Sequence, residues 1–187
     1  MTSQELTRGR RIRAWKLALV AVMALTLAML AVGLTRDASV VPSALVGQKM
    51  PGFDLPVLGG EGRLASDQVA GRPVILNFWA SWCETCRVEH PELVRLGLRA
   101  QSRGEFAIAG INYRDDPAKA RIFLRRLGQF PYESAEDPRG RLGIDFGVYG
   151  MPETFFIDAK GVVQGRHPGA LTPEVLARML PLIGVTP

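Results

Sequence analysis

Hydrophobic positions follow two regimes along this chain: one long unbroken run near the N-terminus, then short apolar runs separated by polar, glycine and proline positions. Residues 17–34 (LALVAVMALTLAMLAVGL) carry no formal charge over eighteen positions. A helix of that length rises about 27 Å at 1.5 Å per residue, close to the hydrocarbon thickness of a bilayer. Residues 73–79 (PVILNFW) and 106–112 (FAIAGIN) do not alternate and read as strands buried on both faces. Residues 153–158 (ETFFID) and 162–166 predict two further strands joined by a turn, and 53–55 with 63–65 a short hairpin. Residues 66–70 are expected to form one turn of helix.

Helical signals fill the gaps. Val88, Leu93, Leu96 and Ala100 recur on one face of a helix expected over 83–102, with Pro91 inside it as a kink. Asp115-Asp116-Pro117 opens a helix that ends near Gly128, and 139–146 suggest a shorter one. Thr172-Pro173-Glu174 supplies a cap, a first-position proline and a first-turn acid for the last helix. Strand, helix, strand, helix, then a strand pair and a helix is an α/β layered plan.

Charge changes the picture only at one end. The chain of 187 residues has a formal net charge of +5, a value that suggests a nucleic-acid partner until its position is considered. Residues 1–16 hold Arg8, Arg10, Arg11, Arg13 and Lys16 against Glu5, whereas the remaining 171 hold 18 basic and 17 acidic side chains. The basicity is a cytoplasmic flank to the apolar run, and no phosphate-binding face or nucleic-acid partner is expected. The domain plan is therefore a flank (1–16), a transmembrane anchor (17–35), a linker (36–48) and a folded domain (49–187) outside the membrane. A cleaved signal peptide is the rival reading, but its apolar core is usually about 7–15 residues, shorter than this one.

Candidate chemistry centres on Trp82-Cys83-Glu84-Thr85-Cys86. Half a zinc site would need two more ligands, and only His90 and His167 remain, without finger spacing. Haem attachment would need a histidine after the second cysteine, where Arg87 stands. A purely structural disulfide would close too small a loop to stabilise much. A redox pair at a helix N-terminus remains, where free N–H groups and the helix dipole favour a thiolate on Cys83 and Cys86 can reach back to resolve it. No metal or cofactor is expected. His90, His167 and the cluster Arg121, Arg125 and Arg126 read as surface residues. Tyr113, Asp115 and Asp116 read as structural, closing a loop and capping a helix.

FWASWCETC, with Pro91 five residues after the second cysteine, resembles the thioredoxin superfamily. CRVEHPE (86–92), GINYRDD (110–116) and GRLGIDFGVYGMPETFFID (140–158) resemble, more narrowly, the cytochrome c maturation thiol:disulfide interchange proteins of the DsbE/CcmG type. The likeness covers roughly residues 45–185. It implies a thioredoxin-like α/β fold, a central mixed sheet flanked by helices, here with an N-terminal transmembrane helix. It implies an exposed attacking Cys83, a buried partner Cys86 and a redox-active Cys83–Cys86 disulfide. Pro152 falls where the superfamily keeps a cis proline, and Met151, Tyr149, Gly150 and Trp82 would line the substrate groove. Glu89 and Glu153 match acids near the active site, for proton transfer or tuning of the thiol.

Two departures bear on the chemistry. Asn77 stands where thioredoxin has a buried aspartate, so Glu89 or Glu153 is expected to substitute for it. Glu84 occupies a position where proline is common, and a carboxylate beside Cys83 opposes its thiolate. Less stabilisation of the thiolate gives a more reducing couple, nearer thioredoxin than DsbA. The function implied is a periplasmic reductant tethered to the inner membrane. Its partners would be apocytochrome c, or a maturation protein carrying its cysteines, and a membrane thiol transporter as electron donor. Two alternatives stay open: a reductase for another exported client such as a copper-site assembly protein, and a non-enzymatic scaffold that binds apoprotein.

Overall fold

The structure is a computed structural model that describes residues 3–34 (side chains for 15–31 and 33) and 43–187. It divides into two units, Met1–Val41 and Pro42–Pro187. The first contains α1 (Ser3–Leu34), whose described side chains are exposed. Among the described residues no helix is long and apolar enough to cross a membrane. The continuous stretch of α1 with described side chains stops at Ala31, before the end of the apolar run at Leu34. The side chains of most of the basic flank, together with residue 35 of the expected anchor and 36–42 of the expected linker, lie outside what is described.

The second unit carries a hairpin, β1 (Asp54–Pro56) with β2 (Arg63–Ala65), and a five-stranded sheet. The sheet contains β3 (Val74–Trp79), β4 (Ala107–Tyr113), β5 (Ser134–Asp137), β6 (Glu153–Ile157) and β7 (Val163–Pro168), in the order β5-β4-β3-β6-β7. The pairs β3–β4 and β4–β5 are parallel, and β3–β6 and β6–β7 antiparallel. The helices are α2 (Glu84–Arg103), α3 (Pro117–Leu127), α4 (Arg141–Asp145) and α5 (Pro173–Met179), followed by a 3-10 turn at Leu180–Ile183. All six residues of β3 are buried, which explains why that strand showed no alternation.

The sheet separates two apolar layers. On one face Phe78, Phe146 and Phe155 meet at ring separations of 5.0–5.6 Å, joined by Leu76, Ile111 and Leu142. On the other, Ile75 and Phe156 meet Leu93 and Leu96 of α2 and Val175 and Leu176 of α5. The central mixed sheet flanked by helices is thus present. Asp116 caps α3 by accepting from the Ala118 and Lys119 amides, and Thr172 caps α5, both at the expected places.

Three local readings are corrected. β5 was not expected: Ser-Ala-Glu-Asp has no apolar run, and it becomes a strand only through its pairing with β4. Residues 66–70 form hydrogen-bonded turns rather than helix. His90 is buried, not on the surface, because Phe123 of α3 and Phe130 beyond it close over α2, with the His90 and Phe130 rings 4.6 Å apart. His167 is half-buried, with Nε2 3.1 Å from the Ala170 carbonyl oxygen.

Candidate active site

Strand β3 delivers the chain to Trp79, and a short loop turns it into α2. The Cys83 amide donates to the Ala80 carbonyl (3.2 Å), which closes that turn and makes Cys83 the N-cap of α2. Its Sγ accepts from the Cys86 amide at 3.0 Å, taking one of the donors that a helix start leaves unpaired. Cys83 and Cys86 are joined as a disulfide. The expectation of an exposed Cys83 is corrected: it is 6% exposed, against 2% for Cys86. Trp79, Phe123 and Leu124 surround the pair, and the half-buried Met151 packs against the same cluster. Trp82, by contrast, is 59% exposed beside the disulfide, its Nε1 donating to the Arg114 carbonyl at 3.1 Å.

The opposite wall is the segment before β6. The Met151–Pro152 peptide bond is cis, as the resemblance implied. Glu153, fully buried, holds this segment from below: Oε1 accepts from the Tyr149 and Gly150 amides, both at 2.9 Å. Its Oε2 accepts from Arg166 Nε at 2.7 Å in a buried ion pair. The same guanidinium lies 4.2 Å from the centre of the Tyr149 ring. Glu153 therefore positions the loop that carries Tyr149, Gly150, Met151 and Pro152.

Glu89 sits one turn of α2 below Cys86 and is also buried. Its Oε1 accepts from Asn77 Nδ2 (3.1 Å) and its Oε2 from the Leu171 amide (2.9 Å). Asn77 Nδ2 donates to Thr154 Oγ1 as well, at 3.0 Å. Burial pushes the Glu89 carboxyl up to about 7, and the two hydrogen bonds only partly oppose that. The Tyr132 hydroxyl, buried without a hydrogen-bond partner among the described residues, is raised well above the usual phenol range by burial and by the Glu89 charge. Glu84 lies differently: its side chain is 82% exposed and 3.4 Å from Arg87 Nε. Solvent and that cation screen its effect on Cys83.

Sequence reasoning did not assign a site role to Thr154, Arg166 or Tyr132. Arg166 is separated from Glu153 by a strand turn, and only the β6–β7 register brings the two together. Asn77 was legible as the single polar residue in an otherwise apolar strand.

Residues 46–166 match the AhpC/TSA family. The thiol:disulfide interchange protein DsbE of Pseudomonas fluorescens is 42% identical over 146 residues, covering 76% of this chain and 78% of that one. The chain belongs to the DsbE family of thiol:disulfide interchange proteins. The interchange protein HelX of Rhodobacter capsulatus is 38% identical, covering 80% of this chain and 84% of its own. A Chlorobium tepidum crystal structure described as a DsbE interchange protein superposes with a TM-score of 0.66 at 30% identity, covering 74% of this chain and 98% of that one. Family membership and the Cys83–Cys86 pair make this chain a dithiol–disulfide oxidoreductase with a thioredoxin-like fold.

Proposed function

We propose that this oxidoreductase is a reductant for cytochrome c maturation, anchored in the inner membrane by residues 17–34 with its folded domain in the periplasm. The observation that carries the reading is the Cys83–Cys86 pair at the start of α2, opposite the cis-proline loop, in a chain whose blocks match the maturation family. The apolar run and its basic N-terminal flank support the anchor and its orientation.

The reduced protein acts in two displacements. The Cys83 thiolate attacks one sulfur of the client disulfide, forming a mixed disulfide and expelling the other client sulfur as a thiolate. Cys86 then loses its proton and attacks Cys83 Sγ, releasing the first client sulfur and closing the Cys83–Cys86 disulfide. Two electrons pass to the client, and a donor dithiol returns them by the reverse exchange. Glu89, one turn from Cys86 and titrating near neutral pH, is placed to take the Cys86 proton. The backbone around Met151 offers hydrogen bonds to an extended client segment, with Trp82, Tyr149 and Gly150 as the groove walls. The client would be the haem-binding cysteines of apocytochrome c or a protein that carries them, and the donor a membrane thiol transporter.

A Cys86→Ser variant expressed at native level tests the reading. Accumulation of a mixed disulfide through Cys83 to a haem-ligating CxxCH segment or its carrier is the expected result. Capture of a copper-site assembly protein, with unchanged haem attachment in a deletion strain, would overturn it. Normal assembly of c-type cytochromes by Cys83→Ser would overturn it in favour of a scaffold.

A further inference from the structure

We infer that Asp115 is a positioning residue that sets the redox poise of the Cys83–Cys86 pair, by gripping the loop that enters Cys83 and by holding a buried carboxylate on Ser81, two residues before it. The inference rests on the reductant reading and deepens it. Asp115 is 9% exposed, and both carboxylate oxygens face donors. Oδ1 accepts from Ser81 Oγ and from the Asp116 amide, each at 2.8 Å. Oδ2 accepts from the Ser81 amide at 2.6 Å and from Asn112 Nδ2 at 2.9 Å. Four donors on two oxygens suit an acceptor-only carboxylate; an amide would turn an NH2 group against two of them.

The neighbouring backbone is part of the same device. Arg114 is the one described residue other than glycine with a positive φ, at 46°. That conformation is uncommon for a side-chain-bearing residue and is held only where surrounding contacts fix it. The Arg114 carbonyl accepts from Trp82 Nε1. The loop thus grips both residues that precede Cys83. Tyr113 braces it against α4: a Cβ added at Gly143 would lie 2.1 Å from the Tyr113 ring.

The charge matters because the other charges near the disulfide are screened or compensated. Glu84 is solvent-exposed beside Arg87, and Arg87 itself stacks 5.6 Å from the Phe123 ring centre. Glu153 is paired with Arg166, and burial raises the Glu89 carboxyl to about 7, so that it is partly protonated at neutral pH. Asp115 has neutral donors and, among the described residues, no ion pair, and the Arg114 guanidinium lies over the Tyr113 ring. A thiolate forming on Cys83 is opposed by the carboxylate held at Ser81, whereas the disulfide is neutral and is not. The dithiol form is destabilised, and the couple becomes more reducing.

The test equilibrates purified protein with glutathione buffers and reads the oxidised fraction by alkylation and mass spectrometry. Asp115→Asn should shift the equilibrium about twofold to fivefold toward the dithiol at neutral pH, the effect of one pKa unit on a thiol that titrates near 7. Ser81→Ala keeps the charge but removes a donor that disperses it, so it should shift about twofold toward the disulfide. Loosening of the loop alone would not move the two variants in opposite directions. An unshifted Asp115→Asn, or both variants moving the same way, overturns the inference while the reductant reading stands. If Asp115→Asn does not fold by circular dichroism, the sign of the Ser81→Ala shift decides. Wild-type protein that fails to exchange with glutathione refutes the reductant reading itself.

Discussion

The Cys86 amide donates to Cys83 Sγ at 3.0 Å, so the sulfur of the first cysteine is also the cap of the helix that presents it. One atom serves both structure and chemistry, which separates two substitutions that a purely chemical view would treat alike. Serine is a strong N-cap, alanine a weak one. Cys83→Ser should abolish exchange yet match the reduced wild type in stability, whereas Cys83→Ala should lose about 1 kcal/mol besides. Urea unfolding of both variants against reduced protein checks this.

Glu89 makes stability depend on pH. Its carboxyl is raised from 4.5 to about 7 in the folded state, so the unfolded chain gives up this proton more readily. The stability linked to its protonated form is complete below pH 4.5 and is lost as pH rises through 7. A shift of that size corresponds to about 3 kcal/mol at most. Wild-type stability should therefore fall between pH 5 and 8 more steeply than that of Glu89→Gln, as measured by urea midpoints across that range. In the same window Glu89→Gln should slow the resolving step by about 10- to 100-fold, the scale of one general base.

The buried pair Glu153–Arg166 predicts asymmetric damage. Arg166→Met leaves a carboxylate buried without its cation and should cost about 3–5 kcal/mol. Adding Glu153→Gln should restore part of that loss, because the new side chain keeps an oxygen for the Tyr149 and Gly150 amides. A double-mutant cycle in guanidinium measures the coupling.

Much of this was legible because the signals were local. The unbroken apolar run of β3, the caps Asp116 and Thr172, and the cysteines after Trp82 all announce themselves within a few residues. What was missed depends on distant partners. β5 has two acids in four residues and is a strand only beside β4. His90 reads as a surface residue from the sequence because α3 and Phe130, which cover it, come later in the chain. Cys83 is less exposed than the family resemblance implies, since Met151 packs against its cluster from another loop. The charge next to Cys83 in sequence, Glu84, turns to solvent, while Asp115 reaches Ser81 from 34 positions away.

The central claim is that Cys83 is the attacking sulfur and Cys86 the resolving one. Brief treatment of freshly reduced protein with iodoacetamide at neutral pH, followed by peptide mass spectrometry, tests it most directly. The account predicts that Cys83 is modified first and that Cys86, 2% exposed, stays protected until the protein unfolds. Modification of Cys86 ahead of Cys83, or a Cys83 that stays inert in the folded reduced protein, would contradict it.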